Sequence, residues 1–126
     1  MKSINVALID DSSIYRELLK MILRSVPDYK FNILFEAETL VGIEDNKQYH
    51  EELDVILLDI MMPDIDGVTG IPILQDLFPT SSIIMVSDVE SPKVKEECIE
   101  KGAMSYIIKS AVQTRLAPEI IAYCNN

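Results

Sequence analysis

VILLDIMMPDIDG, residues 55–67, is the stretch that decides the fold of this chain. It opens on apolar residues typical of a short buried strand, with Asp59 at the end of that strand and Ile60 after it. A carboxylate in this place is costly unless a cation or hydrogen-bond donors satisfy it. The stretch therefore raises the question of which residues elsewhere in the chain satisfy Asp59.

Strand and helix patterns alternate along the rest of the chain. The apolar patterns predict five strands, at residues 4–9, 31–36, 54–59, 83–86 and 106–108. Helical spacing and boundary signals predict helices after residues 10–13, weakly near 40–43, and at 68–78, 93–101 and 111–123. Five strands that alternate with helices indicate an α/β fold whose parallel sheet is covered on both faces.

Proline, glycine and capping residues give further information on two of these helices. Ser91-Pro92 combines an N-cap residue with a proline at the first helical position, and Gly102 suits the position just after that helix. Pro118 lies inside the last predicted helix, where a proline removes a backbone hydrogen bond. We therefore expect the last helix to be kinked or split.

The order of the strands follows from their connections. Right-handed crossovers leave few arrangements, and we expect a flavodoxin-like, doubly wound (βα)5 fold with strand order 2-1-3-4-5. The chain should form one domain over residues 1–126. Ligands in such folds bind beyond the carboxyl ends of the strands, at the switch point between the first and third strands. Functional residues are therefore expected just after Ile9 and just after Leu58.

Composition narrows the class of partner. The chain is 48% hydrophobic and has a formal net charge of −10. An acidic surface disfavours nucleic acid and anionic lipid, so we expect protein or metal-ion partners. No apolar run is long enough for membrane insertion, and the N-terminus lacks a signal-peptide pattern. Cys98 and Cys124 are expected to be free thiols in a reducing, cytoplasmic location.

Three carboxylates fall at the expected switch point: Asp10, Asp11 and Asp59. Like charges this close cannot all stay ionised unaided, so either some are protonated or a cation lies among them. Oxygen ligands without histidine or cysteine suit Mg²⁺ or Mn²⁺. The alternative is that Asp10 and Asp11 only cap the following helix, although a cap needs just one of them.

The fourth and fifth predicted strands end in residues of other kinds. Ser87 offers a hydroxyl donor, and Lys109 offers a positive charge that pairs with phosphate. Three acids, a metal ion, a hydroxyl and a lysine around one cleft are typical of a phosphoryl-transfer site. The carboxylate of Asp59, at the centre, would be the nucleophile.

The same residues carry a resemblance to a known family. The sequence resembles a response-regulator receiver domain, of the CheY-like single-domain kind found in two-component signalling, over essentially its whole length. The matching pieces are LIDDSS at 8–13, DIMMPDIDG at 59–67, Ser87, and Tyr106 three residues before Lys109. The resemblance implies that Asp59 accepts a phosphoryl group from the phosphohistidine of a histidine kinase. It also implies that Lys109 and Ser87 bind the phosphoryl oxygens, and that Tyr106 turns inward as Ser87 moves.

The resemblance further implies a ligand set for the metal ion. Asp11 and Asp59 would bind Mg²⁺ directly, together with the backbone carbonyl of Met61, and Asp10 would act mostly through water. Met61 and Val89 also occupy positions that tune hydrolysis of the acyl phosphate in this family. Because neither side chain can orient a water molecule, we expect a long-lived phosphorylated form.

Two positions depart from the family pattern. Asp88 replaces a very small residue; it either faces the cleft, where it would deter anionic donors, or points to solvent and caps the next helix. Ser110 replaces a proline that commonly follows the lysine in a cis bond. Because a cis bond before another residue costs about 2.5–4 kcal/mol, we expect a trans bond that re-aims Lys109 slightly.

Several functions are compatible with this sequence. The first is a phosphorylation-driven switch whose output is binding to a downstream protein, as a monomer or weak dimer. The second is a phosphorelay intermediate that passes its phosphoryl group to the histidine of a phosphotransfer protein. A degenerate receiver that binds constitutively, and a receiver cut from a longer response regulator, stay open as well.

Overall fold

The computed structural model describes residues 1–124. Its five strands form one parallel sheet in the order β2-β1-β3-β4-β5, which confirms the predicted fold. The strands are β1 (Lys2–Ile9), β2 (Tyr29–Ala37), β3 (Val55–Leu58), β4 (Ser82–Ser87) and β5 (Ser105–Ile108). The α-helices are α1 (Ser13–Arg24), α2 (Gly67–Leu77), α3 (Pro92–Glu100) and α4 (Val112–Cys124).

The connection from β2 to β3 carries a 3₁₀-helix, Ile43–Tyr49, where the sequence predicts only a weak helix. Leu40 and Ile43 are buried there, whereas most of the residues that follow are polar and exposed. So few buried apolar side chains anchor only a short helical segment. A second 3₁₀-helix, Lys109–Ala111, joins β5 to α4.

Hydrophobic side chains cover both faces of the sheet. Alternate residues of β3 enter different clusters: Ile56 and Leu58 lie on one face, and Val55 and Leu57 on the other. The first cluster packs beneath α2, α3 and the 3₁₀-helix 43–49, and the second packs beneath α1 and α4. Because both faces are buried, β3 is apolar at every position, as a central parallel strand requires.

The helix boundaries confirm the N-cap prediction and exclude a split of the last helix. The Ser91 side chain accepts a hydrogen bond from the backbone N–H of Val94, and Gly102 adopts a φ of 115° after α3. The last helix is not split at Pro118, because α4 runs without interruption from Val112 to Cys124. Three buried residues fasten α4 to the sheet on both sides of the proline and outweigh one missing backbone hydrogen bond: Val112, Leu116 and Ile120.

Strand register brings two of the predicted site residues together. Ile9 of β1 pairs with Leu58 of β3, so the residues that follow them lie side by side. The backbone N–H of Asp59 donates to the carbonyl oxygen of Ile9 at 3.0 Å. β3 ends one residue earlier than predicted, and this leaves Asp59 just beyond the strand, at the carboxyl edge of the sheet.

Candidate functional site

Asp59 is buried at the carboxyl edge of the sheet, with 4% of its surface exposed. Its Oδ1 accepts a hydrogen bond from the backbone N–H of Ile60 at 2.7 Å. Its Oδ2 accepts one from Lys109 Nζ at 3.2 Å. Burial raises the pKa of Asp59, the negative charge of Asp10 raises it further, and Lys109 opposes both effects.

Asp10 is the second buried acid of the site. Its Oδ1 accepts a hydrogen bond from the backbone N–H of Ser12 at 2.8 Å, and its Oδ2 lies 2.9 Å from Lys109 Nζ. Ser12, not Asp10 or Asp11, is the N-cap of α1, since its side chain accepts from the backbone N–H of Tyr15. The two acids are therefore free of the capping role that was the alternative to metal binding.

Asp11 completes a cluster of three carboxylates and, unlike the other two, is exposed. Ligand oxygens of Asp10, Asp11 and Asp59 all lie within 4.8 Å of one another. A compact set of carboxylate oxygens fits a hard divalent cation such as Mg²⁺ or Mn²⁺. Asp11 is exposed while Asp10 and Asp59 are buried, so water could reach a bound cation from the Asp11 side and complete its coordination.

Lys109 is the cation that pairs with the buried carboxylate of Asp59. Its ammonium group forms ion pairs with both buried acids, and only 12% of its side chain is exposed. Burial alone would lower the pKa of Lys109, but the hydrogen bond to Asp10 and the charges of both acids raise it above its ordinary value. Lys109 is therefore a fixed positive charge at the edge of the sheet. The Lys109–Ser110 bond is trans, as expected.

The loop after Asp59 folds back onto the site through Gly67, the first residue of α2. The Gly67 N–H donates to the carbonyl oxygen of Ile60 at 2.9 Å. A Cβ at Gly67 would lie 2.1 Å from the backbone oxygen of Asp59, so no larger residue fits. Asp66 caps α2 by accepting a hydrogen bond from the backbone N–H of Thr69.

Ser87 and Tyr106 are joined through the backbone of Val89. The Ser87 Oγ, fully buried, accepts a hydrogen bond from the N–H of Val89 at 3.1 Å. The Tyr106 hydroxyl donates to the carbonyl oxygen of Val89 at 2.6 Å. Tyr106 is itself buried, with 3% of its surface exposed, and lies in the inward position. The loop after β4 is therefore tied to the end of β4 by Ser87 and to β5 by Tyr106.

The remaining predicted residues, Met61 and Asp88, are exposed. Asp88 does not cap α3, because Ser91 fills that position. Asp88 also lies outside the three-carboxylate cluster. Its negative charge nevertheless contributes to the raised pKa of Tyr15, after burial and the charge of Asp10.

Two residues of α1 belong to the site and were not found from the sequence. Tyr15 lies under the ammonium group of Lys109, and Arg16 donates a hydrogen bond to the backbone carbonyl of Asp10. Arg16 is held in turn by Glu36, whose Oε1 lies 2.9 Å from Arg16 Nε. Their position in the first turn of the helix after Asp10 and Asp11 was the only available signal, and it does not distinguish them from ordinary helix residues.

Fold and site together define the class of protein. The sequence matches the response regulator receiver domain over residues 6–121, and the chain belongs to this family of two-component signalling. The chemotaxis protein CheY of Listeria monocytogenes is 32% identical over 107 residues, which cover 84% of this chain and 86% of that protein. A protein-glutamate methylesterase of Thermotoga maritima is 33% identical over 94% of this chain, which spans only 35% of that longer enzyme.

Solved structures agree with these sequence relatives. The response regulator domain of Thermotoga maritima CheB has a TM-score of 0.82 at 26% identity, and the match covers 99% of this chain and 98% of that one. CheY in a CheX-CheY-BeF3-Mg complex from Borrelia burgdorferi has a TM-score of 0.84 at 26% identity, over 94% of this chain and 87% of that one. Within residues 1–124, no helix combines the length and apolar character that crossing a membrane requires.

Proposed function

We propose that this chain is a phosphoryl-accepting switch in which Asp59 is modified by the phosphohistidine of a sensor histidine kinase or phosphotransfer protein. The observation that carries this proposal is the double ion pair of Lys109, which reaches Asp59 at 3.2 Å and Asp10 at 2.9 Å. A buried carboxylate beside a fixed ammonium group and two further acids suits nucleophilic attack on a phosphoryl group.

The transfer is a substitution at phosphorus. A carboxylate oxygen of Asp59 forms a bond to phosphorus while the bond from phosphorus to the imidazole nitrogen breaks. The other ring nitrogen carries a proton, so the nitrogen that leaves phosphorus keeps the electron pair and the histidine departs as neutral imidazole. Lys109, already in place, neutralises part of the charge on the transferring oxygens without moving far.

The metal ion belongs to the same proposal. Asp11, Asp59 and the backbone carbonyl of Met61 would hold Mg²⁺ or Mn²⁺, with Asp10 acting mostly through water. The ion would supply positive charge to the phosphoryl oxygens. The compact carboxylate cluster supports this assignment, and the raised pKa of Asp59 is what a nearby divalent cation would reverse.

The output is a change in a protein-binding surface. Ser87 would exchange its hydrogen bond with Val89 for one to a phosphoryl oxygen. The Val89 carbonyl would shift with it and change the loop beside Tyr106, which is already inward. Tyr106 lines a cleft of about 320 Å³ between the β4–α3 loop, β5 and α4, together with Pro92 and Ile108. A downstream protein that binds this cleft would respond to the phosphorylation state of Asp59.

Several finer properties are part of the proposal as well. The chain would act as a single receiver domain over residues 1–126, in the cytoplasm, as a monomer or weak dimer. We do not assign it direct contact with nucleic acid, because its net charge is −10. The same domain at the head of a longer response regulator would use the same site, as the length of the methylesterase relative illustrates.

The test is to mix the protein with acetyl phosphate and Mg²⁺ and to map the adduct by mass spectrometry. We expect one phosphoryl group on Asp59, lost in Asp59→Asn and retained in Asp64→Asn, a matched change at an exposed acid of the adjoining loop. An unmodified Asp59 would contradict the proposal. Movement of the phosphoryl group from Asp59 to the histidine of a phosphotransfer protein would favour the relay over the terminal switch.

A further inference from the structure

Tyr15 contacts both the ammonium group and the backbone of Lys109. The ammonium nitrogen lies 4.2 Å from the centroid of the Tyr15 ring, which is the geometry of a cation–π contact. The Tyr15 hydroxyl donates a hydrogen bond to the backbone carbonyl oxygen of Lys109 at 3.3 Å. One side chain of α1 therefore touches both the charge and the backbone of a residue 94 positions away.

The position of Tyr15 is itself well defined. Its backbone N–H donates to the capping side chain of Ser12 at 3.1 Å, and its ring packs against the hydrophobic cluster beneath α1 and α4. Burial raises the pKa of the Tyr15 phenol, and the charges of Asp10, Asp88 and Asp59 raise it further. The hydroxyl is therefore protonated at neutral pH and available as a donor.

Lys109 needs such a contact because of how it is attached. A lysine side chain is long and flexible, and ordering it costs conformational entropy. Here Lys109 is the first residue of a 3₁₀-helix of only three residues. It is followed by Ser110 and not by the proline that is common in the family. On one side the ammonium group meets two carboxylates, and on the other side it meets the Tyr15 ring.

These two sides differ once a divalent cation is bound. A cation among Asp10, Asp11 and Asp59 competes with Lys109 for the carboxylates and repels its charge. The ring face does not take part in that competition. It is the contact that would still hold the ammonium group in the site.

We propose that Tyr15 is a positioning residue for Lys109: its ring holds the ammonium group beside Asp59, and its hydroxyl holds the Lys109 backbone. This role rests on the proposed function of Lys109 as the group that binds the phosphoryl oxygens. Tyr15 lies in α1 and is therefore an addition to the site residues that follow the strand ends.

The geometry is tested first, by NMR on the full chain without any phosphodonor. The Lys109 Cε is bonded to the nitrogen that lies over the Tyr15 ring, so ring-current shielding should move the resonances of its protons upfield. The resonances are assigned by their disappearance in Lys109→Met. The upfield shift should persist in Tyr15→Phe and vanish in Tyr15→Leu. A Lys109 signal at the ordinary lysine position in the wild-type protein would overturn the proposal, whatever the outcome at Asp59.

The consequence is tested by the rate of phosphorylation of Asp59 by acetyl phosphate. Tyr15→Leu should be slower by about 3- to 30-fold, the range that one cation–π contact corresponds to. Tyr15→Phe, which keeps the ring, should recover most of this loss. Tyr123→Leu, the same change at a tyrosine of α4 that is 41% exposed, is the matched control and should react like the wild type.

Mg²⁺ affinity separates positioning from damage to the fold. Tyr15→Leu should bind Mg²⁺ as tightly as the wild type or more tightly, because a mobile Lys109 repels the ion less. Weaker Mg²⁺ binding in parallel with slower phosphorylation would show general damage and overturn the positioning role. A Phe variant as slow as the Leu variant would also overturn it, since the ring would then not be the group that holds Lys109. Failure of the wild type to react would instead count against the proposed function.

Discussion

Lys109 lies closer to Asp10 than to Asp59: its Nζ is 2.9 Å from Asp10 Oδ2 and 3.2 Å from Asp59 Oδ2. The ammonium group thus bridges Asp59, the proposed phosphoryl acceptor, and a second acid of the three-carboxylate cluster. In this arrangement Lys109 provides the positive charge that a divalent cation would otherwise supply. Loss of the lysine and addition of the cation should therefore have opposite effects on stability.

Lys109→Met is expected to destabilise the protein by about 3 kcal/mol in urea unfolding without divalent cations. The change leaves two buried carboxylates without their shared partner, and breaking a buried ion pair has a cost of this order. Adding Mg²⁺ should restore more stability to the variant than to the wild type, because the ion replaces the missing charge.

The matched control for that experiment is Lys20→Met. Lys20 also bridges two acids, Glu17 and Glu36, and its side chain is 13% exposed against 12% for Lys109. It lies outside the carboxylate cluster. Its variant should not show the additional response to Mg²⁺, and equal recovery of both variants would contradict the bridging role of Lys109.

Asp59→Asn is expected to stabilise the folded protein at neutral pH by an amount on the order of 1 kcal/mol, the scale on which single substitutions usually act. Burial and the charge of Asp10 raise the pKa of Asp59 above its unfolded value. Any stability that protonated Asp59 contributes is present below the unfolded pKa and is lost as the pH rises through the folded pKa.

The difference in stability between Asp59→Asn and the wild type should depend on pH. The advantage of Asp59→Asn over the wild type should be small in acid, where Asp59 is protonated, and should grow as the pH rises through the folded pKa of Asp59. Urea unfolding across this pH range measures it. An advantage that grows toward acid would mean that the pKa of Asp59 is lowered in the folded protein.

Gly67→Ala is expected to destabilise the protein by roughly 3 kcal/mol, because the new methyl group meets backbone that cannot rotate away. The nearest atom would be the Asp59 carbonyl oxygen, at 2.1 Å. Because the same backbone carries the acceptor carboxylate, phosphorylation by acetyl phosphate should also slow. Gly42→Asn is a suitable comparison, since asparagine tolerates the φ of 79° at Gly42 and a Cβ there would lie 3.8 Å from Asp45 Oδ2, an ordinary contact. Similar losses of stability in the two variants would contradict the claim that the Asp59 backbone leaves no space for a side chain at Gly67.

Asp88→Ala is expected to speed phosphorylation of Asp59 by acetyl phosphate. The charge of Asp88 contributes to the raised pKa of Tyr15, which itself contacts Lys109, so we expect it to repel an anionic donor. The gain should be largest at low ionic strength, because salt screens an exposed charge. Asp76→Ala removes the same charge from an exposed site on α2 and should have little effect. An unchanged rate at every salt concentration would contradict the prediction.

Met61→Asn is expected to shorten the lifetime of the phosphorylated protein. Met61 is 66% exposed, and an amide at this position could orient a water molecule toward the acyl phosphate, which a thioether cannot do. The measurement is the decay of phosphorylated Asp59 after removal of the donor. Met21→Asn, at a methionine of α1 that is 63% exposed, controls for the polarity change. No faster decay in Met61→Asn would count against this role.

The part of the site that follows from strand ends was predictable. Asp10, Asp59, Ser87 and Lys109 each stand at the end of an apolar run, and a parallel sheet brings the carboxyl ends of its strands to one edge. The trans bond after Lys109 was predictable as well, because the cost of a cis bond there depends on one pair of residues. A split of the last helix at Pro118 was wrong, since the local preference of proline was weighed without the buried side chains that anchor α4; a kink there stays a prediction.

Contacts between side chains of distant elements were not predictable in this way. Tyr15 meets Lys109, Arg16 meets Asp10 and Glu36, and Gly67 meets the backbone of Asp59 only because helices and loops pack against the edge of the sheet. The sequence by itself determined the strand order and the set of polar groups that follow the strand ends, because both follow from local periodicity and connectivity. The tertiary structure decided which neighbours hold those groups, because such contacts depend on how α1 and the β3–α2 loop pack against the sheet.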